Sequence, residues 1–240
     1  MSEQKSVPGK IKVSDLKGVS QTSLITLYLR YLESMRKDSV IKSEKYGEII
    51  DKIDYDFSKW KDDPDLQLSV CCRTKIFNDI VKSFIDKHPE AVIINLGAGL
   101  DIRFFEVDNG KILWYDLDLP EAIETRRKFF KENNRLIFLP KSVFDFSWVK
   151  EINKKDNIMI VAEGLFLYFD TETVKNAFIN LAENFPGAEM LFDLILDYYL
   201  KNVSRRESIK EAEMMFKWGF NNWDEILSWH PSIKFIEEKF

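Results

Sequence analysis

The N-terminal third of the chain carries apolar residues at the spacing of helices. Between residues 21 and 38 they recur every three or four positions, which is typical of a helix with one buried face. Further helices are predicted over 43–54 and 66–87, and the last ends near Pro89 because the residue before a proline disfavours helical geometry. Residues 1–20 lack this spacing and are predicted to form a flexible arm.

From residue 91 onwards the pattern changes, and short apolar runs alternate with helical stretches. Such runs, bounded by turn residues, predict strands that are buried on both faces. The predicted strands cover 91–96, 112–115, 135–139, 158–162 and 189–196, with helices over 120–133, 144–153 and 171–184 between them. This alternation predicts an α/β fold with a parallel sheet and right-handed crossovers.

The C-terminal part is predicted to add helices over 205–218 and 222–229 and a sixth strand over 233–240. We interpret residues 21–240 as a single domain. Its first part, 21–88, is a helical cap, and 89–240 is the core that holds the sheet.

The composition of the chain argues against several classes of binding partner. Apolar residues make up 45 % of the 240 residues, enough for a sizeable core. Lys and Arg number 35 against 40 Asp and Glu, and the net charge of -5 argues against nucleic acid and anionic membrane surfaces. No apolar run approaches the roughly 20 residues of a membrane span, and the N-terminus lacks the apolar core of a secretory signal.

Cysteine and histidine do not form the patterns of a disulfide framework or a metal site. The two cysteines, Cys71 and Cys72, are adjacent, and strained geometry disfavours a bond between neighbours. Both histidines, His88 and His230, precede prolines and are interpreted as turn residues. We therefore expect no metal ligands and a cytoplasmic location, because reducing compartments keep thiols free.

The first predicted strand leads into a loop with two glycines, Gly97-Ala98-Gly99. Ligands of open parallel sheets bind beyond the carboxyl ends of the strands, at the topological switch point. Glycines there let the backbone turn tightly and approach a ligand without a Cβ in the way. A dinucleotide fingerprint needs a third glycine where this chain has Ile102, so no cradle for a pyrophosphate is predicted.

Acidic residues follow two further strands at the same edge of the sheet. Asp116 and Asp118 lie about 20 residues after the glycines, where a carboxylate commonly accepts hydrogen bonds from ribose hydroxyls. Glu163 follows the fourth strand. Each feature alone is compatible with a plain turn, a solvated carboxylate or a helix cap. Together, on three strand ends, they predict a binding site for a small-molecule cofactor.

Several segments carry a resemblance to a known family. They are NLGAGLDIRFF (95–105), WYDLDLPEAIETRR (114–127), VAEGLFLYF (161–169), TSLITLYLRYLES (22–34), the Arg73 segment and FKWGF (216–220). They resemble the leucine carboxyl methyltransferase family, and most closely its bacterial branch of tetracenomycin-type polyketide O-methyltransferases. The resemblance implies a Rossmann-like sheet with added N-terminal helices and S-adenosylmethionine (SAM), which carries no phosphate, as cofactor.

The resemblance also implies a set of cofactor-binding residues. Arg73, and in a looser alignment Arg30, match residues that bind the methionine carboxylate of SAM. Asp118 matches the ribose-binding acid, with Asp116 in the acidic position before it, and Glu163 matches a glutamate beside the ligand. The complete predicted set is Arg30, Arg73, Gly97, Ala98, Gly99, Asp116, Asp118, Ser142, Val143 and Glu163.

Two features depart from the family pattern. Where the family has an aspartate for the adenine amino group, this chain has Ser142, so either the serine hydroxyl accepts that bond or Asp145 swings in. The family sheet usually ends in a hairpin of two strands, whereas this sequence stops at Phe240, just after the sixth predicted strand. We expect either a sheet that is one strand short or a truncated sequence.

The acceptor pocket is expected above the transferable methyl group. Tyr168, Tyr198 and Tyr199 are candidates for its wall, and Arg205-Arg206 could hold an acidic acceptor. A carboxylate has a pKa near ~4 and is ionised at neutral pH, so its methylation needs no general base. Alignment of the reacting atoms at roughly 3 Å and exclusion of water then suffice, and no dedicated catalytic residue is predicted.

Several functions remain open from the sequence. The leading one is methylation of a carboxylate or hydroxyl on a small, polyketide-like molecule by a monomer or homodimer. The alternatives are methylation of a protein C-terminal leucine carboxylate, a SAM-binding protein without turnover, motivated by Ser142 and the short C-terminus, and a dinucleotide-dependent dehydrogenase.

Overall fold

A five-stranded parallel sheet forms the centre of the molecule, with the strand order β5-β4-β3-β6-β7. The computed structural model describes residues 9–13, 21–60, 63–153, 157–198, 200 and 216–239. The sheet strands are β3 (Val92–Leu96), β4 (Leu113–Asp118), β5 (Leu136–Pro140), β6 (Ile158–Ala162) and β7 (Glu189–Phe192). Order reverses beside β3, so the loops after β3 and β6 meet at the switch point.

Helices pack against both faces of the sheet. They are α1 (Thr22–Ser34), α2 (Glu44–Ile50), α3 (Pro64–Lys87), α4 (Arg103–Val107), α5 (Pro120–Arg127), α6 (Thr171–Asn184) and α7 (Trp223–Ser228). Among the described residues, short 3-10 turns cover Ser58–Trp60, Phe146–Glu151 and Phe166–Tyr168. No helix in the described part of the chain is long and apolar enough to cross a membrane.

The central strand β3 divides its side chains between two apolar cores. All five of its residues are buried, and successive side chains point to opposite faces of a strand. Ile93 joins the cluster with α1 and α3, whereas Val92, Ile94 and Leu96 join the cluster on the other face. This two-sided burial accounts for the almost continuous apolar run by which the strand is recognised in the sequence.

The longest helix, α3, begins and ends at signals that are visible in the sequence. The Asp63 carboxylate accepts a hydrogen bond from the Leu66 N–H, and Pro64 occupies the first turn, where its missing N–H costs nothing. The helix ends at Lys87, before His88 and Pro89. It packs against α1, and this pairing brings one arginine from each helix to the same edge of the sheet.

A small two-stranded parallel sheet holds part of the N-terminal arm. Strand β1 (Ile11–Lys12) pairs with β2 (Ile53–Asp54), and neither strand was predicted. Val13, just after β1, is buried in the apolar core. The arm expected over 1–20 is therefore attached to the body of the protein at 11–13.

The C-terminal part differs most from the sequence prediction. The sixth strand predicted over 233–240 is wrong, because residues 233–239 contain no strand. The tail instead contacts an aromatic cluster, with the Phe235 ring 4.7 Å from that of Trp223. The apolar residues there remain largely exposed, Phe235 by 46 % and Ile236 by 67 %. The helix predicted over 205–218 falls mainly outside the described residues, and 216–218 are not helical.

Beyond β7, the chain around Leu196 pairs with the chain around Phe220. Leu196 and Phe220 form a parallel bridge, with the Asp197 N–H donating to the Phe220 carbonyl oxygen at 3.0 Å. Nearby, the Lys217 N–H donates to the Leu167 carbonyl oxygen at 2.7 Å. These bonds fix both ends of the connection beside the carboxyl edge of the sheet.

Candidate functional site

A cavity of about 320 Å³ lies at the carboxyl edge of the sheet. Loops after β3, β4, β5 and β6 form its floor and sides, and α1 and α3 close it from above. It contains most of the predicted cofactor residues, namely Arg30, Arg73, Gly97, Ala98, Gly99, Asp118, Ser142, Val143 and Glu163. Asp116 is the member of the predicted set that does not line it.

The glycine loop requires its glycines for both conformation and space. Gly97 and Gly99 have φ values of +67° and +45°, a region that disfavours side chains. A Cβ on Gly97 would lie 2.9 Å from Leu165 Cδ1, and one on Gly99 would lie 2.8 Å from Ser23 Cβ. The loop is therefore held closely between β6 and α1, with its backbone bare toward the cavity.

Asp118 is fixed by the backbone of two loops. Its Oδ2 accepts a hydrogen bond from the Gly99 N–H, and its Oδ1 accepts one from the Leu119 N–H, both at 2.7 Å. Burial raises the pKa of Asp118, against the opposite effect of these bonds. Each oxygen keeps further acceptor capacity, so the carboxylate can still accept bonds from hydroxyl groups in the cavity.

Glu163 is surrounded by three arginines. Its Oε1 accepts hydrogen bonds from Arg30 Nη2 at 2.6 Å and Arg73 Nε at 3.0 Å, and its Oε2 accepts one from Arg103 Nη2. Burial alone would raise the pKa of Glu163, but these arginines together hold it well below the ordinary value. The carboxylate is thus ionised at neutral pH and links α1, α3 and α4 to the end of β6.

Arg73 is shared between two acids. Its Nη1 donates to Asp193 Oδ2 at 2.9 Å, while its Nε donates to Glu163. Asp193 also accepts the Gly164 N–H at 2.7 Å, and burial raises its pKa. The side chain of Arg73 remains 25 % exposed, compared with 7 % for Arg30. Arg73 is therefore the arginine that an anionic group in the cavity can reach most easily.

Asp116 faces the protein interior instead of the cavity. The strand predicted from the sequence ended at Tyr115, whereas β4 continues to Asp118. Asp116 therefore lies two residues, about 7 Å, inside the edge of the sheet. Its carboxylate is fully buried and contacts Asn95, Trp114 and Arg126.

Ser142 and Val143 line the β5 side of the cavity together with Phe144. The Ser142 hydroxyl accepts the Phe144 N–H at 3.3 Å. Asp145 does not swing in, because its carboxylate accepts the Ser147 N–H at 3.1 Å and begins the following 3-10 turn at the surface. Ser142 is therefore the side chain that offers polar contacts there.

The three tyrosines predicted for the acceptor pocket have different positions. Tyr168 lines the cavity, hydrogen-bonds Thr22, and has its pKa raised by burial. Tyr198 is 78 % exposed and lies outside the lining, because β7 ends at Phe192 rather than 196. Tyr199 lies outside the described residues, as does the Arg205-Arg206 pair.

Sequence reasoning missed several polar residues of the site. Thr22, Ser23 and Thr26 of α1 line the cavity, as does Asp101; Asp193 holds Arg73 from behind. Asp101 lies within the glycine-loop segment and Asp193 directly follows β7, so a search of every strand end for carboxylates would have found both. The α1 residues give no such signal, because their role depends on how the helix docks.

Because Ser23 lies so close to the glycine loop, any side chain at Gly99 is predicted to lower the stability of the protein. Gly99→Ala and Gly110→Ala both place alanine at positive φ, a strain of about 1–2 kcal/mol. Gly110 has no atom within 4 Å of an added Cβ, so Gly99→Ala should lower the free energy of unfolding by an additional ~1–3 kcal/mol. Urea denaturation of both variants measures this difference, and equal losses would show that the loop can yield.

The three-arginine arrangement predicts a pH-dependent role for Glu163 in stability. Glu163→Gln should lower the free energy of unfolding at pH 7 by about 3–5 kcal/mol, because the buried Arg30 loses its carboxylate partner and Arg73 and Arg103 each lose one of two. The pKa of Glu163 is lowered in the folded state, so its contribution is complete above about pH 4.3 and declines as pH falls from there toward the folded pKa.

Urea denaturation at pH 7 and pH 3 measures this loss. Glu124→Gln is the control, because Glu124 forms an exposed pair with Arg127 that should contribute no more than ~1 kcal/mol. A loss for Glu163→Gln that is equally large at both pH values would contradict the assignment of the lowered pKa.

Comparisons with known proteins agree with this arrangement. The leucine carboxyl methyltransferase family matches residues 27–182. The tetracenomycin polyketide synthesis O-methyltransferase TcmP of Streptomyces glaucescens is 27 % identical over 224 residues, covering 93 % of this chain and 83 % of that protein. The S-adenosyl-L-methionine-dependent methyltransferase dpfgK of Gibberella zeae is 23 % identical over 248 residues, covering 94 % and 83 %.

A solved structure supports the fold. The crystal structure of a candidate methyltransferase from Thermobifida fusca YX superposes with a TM-score of 0.60 at 16 % identity, covering 92 % of this chain and 82 % of that one. This likeness confirms the predicted Rossmann-like architecture. Because the family match extends over more than half of the chain, the protein belongs to the leucine carboxyl methyltransferase family of SAM-dependent methyltransferases.

Proposed function

We propose that this protein transfers the methyl group of SAM to a carboxylate or hydroxyl oxygen of a small, polyketide-like molecule. The observation that carries the proposal is the cavity at the switch point. Arg30 and Arg73 bind Glu163 there after β6, and Asp118 lines the same cavity at the end of β4. The names of the two relatives, an O-methyltransferase of polyketide synthesis and a SAM-dependent methyltransferase, support the same reading.

The charges around the cavity suit SAM. Two arginines, Arg30 and Arg73, and three acids, Asp101, Asp118 and Glu163, line it, which leaves a net charge of -1. SAM carries a carboxylate, an ammonium and a sulfonium, and so has a net charge of +1. A pyrophosphate would instead add two negative charges to an acidic site, which argues against the dinucleotide-dependent dehydrogenase.

The order of the strands suggests how the residues share the cofactor. Ser142 follows β5, Asp118 ends β4, the glycines follow β3 and Glu163 follows β6, so these groups succeed one another along the edge. We assign adenine to Ser142 and Val143, ribose to Asp118, and the methionine part to the Gly97-to-Gly99 loop with Arg73 and Arg30. Glu163 orients both arginines rather than contacting the carboxylate.

SAM supplies an activated methyl group when bound, and the residues of this chain have to orient the acceptor and exclude water. The cavity carboxylates are already engaged: Asp118 with two backbone N–H groups, Glu163 with arginines, and Asp101 with Arg103 at 2.6 Å. Because Glu163 and Asp101 are paired with arginines and Asp118 is assigned to the ribose hydroxyls, we propose none of the three as a general base. This favours an acceptor oxygen that arrives ionised, as a carboxylate or an acidic hydroxyl.

We also propose that residues 21–240 act as one methyltransferase domain. The cap, 21–88, supplies Arg30, Arg73 and the Thr22 region of the cavity, and the core supplies the rest. Tyr168 lies where both parts meet, and we assign it to the acceptor wall. The free cysteines Cys71 and Cys72 fit a protein that works in the cytoplasm.

The cofactor assignment predicts that Asp118→Ala weakens binding of S-adenosylhomocysteine. Calorimetry of wild-type protein should show micromolar binding, and loss of a buried hydrogen-bonding group should weaken it by about 1–3 kcal/mol. Asp145→Ala is the matched control, since Asp145 is exposed and outside the cavity lining. A well-folded wild-type protein that fails to bind S-adenosylhomocysteine would overturn the proposed function.

The acceptor assignment predicts that Tyr168→Ala lowers turnover without changing cofactor affinity. Release of S-adenosylhomocysteine from a panel of aromatic carboxylates and phenols measures turnover, and we expect a loss of roughly tenfold, because losing part of a pocket wall costs on the order of 1–3 kcal/mol. Tyr198→Ala should leave turnover unchanged, because that side chain is 78 % exposed.

Two further outcomes of the same panel have a clear meaning. Methylation of peptides that end in leucine, and of no small molecule, would favour the protein-directed alternative. Tight cofactor binding without turnover of any acceptor would favour a SAM-binding protein that does not catalyse transfer.

A further inference from the structure

We propose that the buried pair Asp116–Arg126 is a positioning device that holds the glycine loop and Asp118 in the geometry that binds the cofactor. The inference rests on the proposed function, since it concerns affinity for SAM. It gives Asp116 a role other than the ligand contact expected from the sequence, and it gives a role to Arg126, for which the sequence predicted none.

The pair lies directly beneath the loop. Arg126 Nη2 is 2.6 Å from Asp116 Oδ2, and both side chains are almost entirely buried. The same guanidinium donates through Nη1 to the Gly99 carbonyl oxygen at 3.0 Å. On its faces Arg126 packs near the rings of Phe130 and Phe138, at 4.6 and 5.1 Å from their centroids. The side chain is therefore held in one orientation by charge, hydrogen bonding and ring contacts.

The Gly99 residue is consequently held from two sides. Arg126 binds its carbonyl oxygen from below, and Asp118 accepts its N–H from the cavity side at 2.7 Å. Since the Gly99 N–H is one of two donors that fix the Asp118 carboxylate, a shift of this loop also rotates Asp118. Arg126 thus acts on the ribose-binding acid through the loop without touching it.

The pair also connects to the methionine end of the cavity. The Asn95 amide nitrogen donates to Asp116 Oδ1 at 2.9 Å and contacts Asp101 Oδ2 at 3.3 Å. Asp101 in turn accepts from Arg103, which binds Glu163. One chain of hydrogen bonds and ion pairs therefore runs under the whole loop, from Asp118 to the arginines around Glu163, with the buried Asp116–Arg126 ion pair at its centre.

The next residue on α5, Arg127, forms ion pairs at the surface and can be compared with the buried Arg126. Arg127 has the same chemistry and the next position on α5, yet its side chain is 35 % exposed and pairs with Glu124 and Glu132 at the surface. It makes no contact with the glycine loop among the described residues. Arg127→Lys is therefore a matched control for Arg126→Lys.

The test combines two measurements on Arg126→Lys, Arg127→Lys and wild-type protein. Lysine keeps the charge beside Asp116 but lacks the fork that reaches two acceptors. Calorimetry with S-adenosylhomocysteine should show Kd about tenfold higher for Arg126→Lys, the effect of losing one hydrogen bond to a charged group, at unchanged stoichiometry. Hydrogen exchange of the ligand-free proteins should show faster exchange of the Gly99 N–H in the same variant alone.

Kd and stoichiometry separate positioning from folding. A merely structural role would lower the fraction of protein that binds and leave Kd of that fraction unchanged, and this outcome would overturn the inference. Exchange of the Gly99 N–H at the wild-type rate in folded Arg126→Lys would overturn it as well. If wild-type protein does not bind S-adenosylhomocysteine, the proposed function fails, whereas the exchange rates still decide whether Arg126 holds the loop.

Should Arg126→Lys not fold, Asp116→Asn is the second variant. It retains a polar partner of similar shape but removes the charge that orients Arg126. The same rise in Kd and faster Gly99 exchange are expected, and wild-type values for both would overturn the inference.

Discussion

The arrangement depends above all on one buried carboxylate, that of Glu163. It receives a guanidinium from α1, one from α3 and one from α4, and so joins the N-terminal helices to the sheet at the point where a ligand is to be held. Three guanidinium groups, of which those of Arg30 and Arg103 are almost entirely buried, cannot be brought together without carboxylate partners, because the cost of desolvation would not be offset. The ion cluster therefore decides where the cap docks, and docking in turn places Ser23 against the glycine loop and Thr22 beside Tyr168.

Much of this arrangement could be predicted because it is encoded locally. The strands are visible in the sequence as apolar runs, and the Gly97-Ala98-Gly99 turn follows the strand that leads to the switch point. The fold class and the family were therefore predicted, and both are confirmed. The cofactor-binding roles remain predictions, although all but one of the residues concerned line the same cavity. Residues within or directly after a strand were the easiest to place, since the sheet edge brings them together by geometry.

The sequence was misleading where a decision depended on the exact end of an element or on contacts between distant segments. Ending β4 at Tyr115 placed Asp116 at the edge, whereas the strand continues for three residues. Ending the fifth strand at 196 placed Tyr198 at the pocket, whereas β7 stops at Phe192. The apolar tail was predicted to be a strand, whereas Phe235 and Ile236 are 46 % and 67 % exposed and Phe235 meets the body of the protein at the ring of Trp223. An apolar run of this length therefore did not indicate a buried strand.

The pairing of Leu196 with Phe220 after β7 has a consequence for how such a protein can change during evolution. Leu196 and Phe220 pair with each other, and the described residues that line the cavity all lie at or before Phe169. In polymer terms, doubling the length of a segment whose ends are already joined costs only about 0.6 kcal/mol. Insertions and exchanges between these anchors can therefore accumulate while the donor machinery stays intact, which is one physical route by which a single methylation scaffold acquires different acceptors.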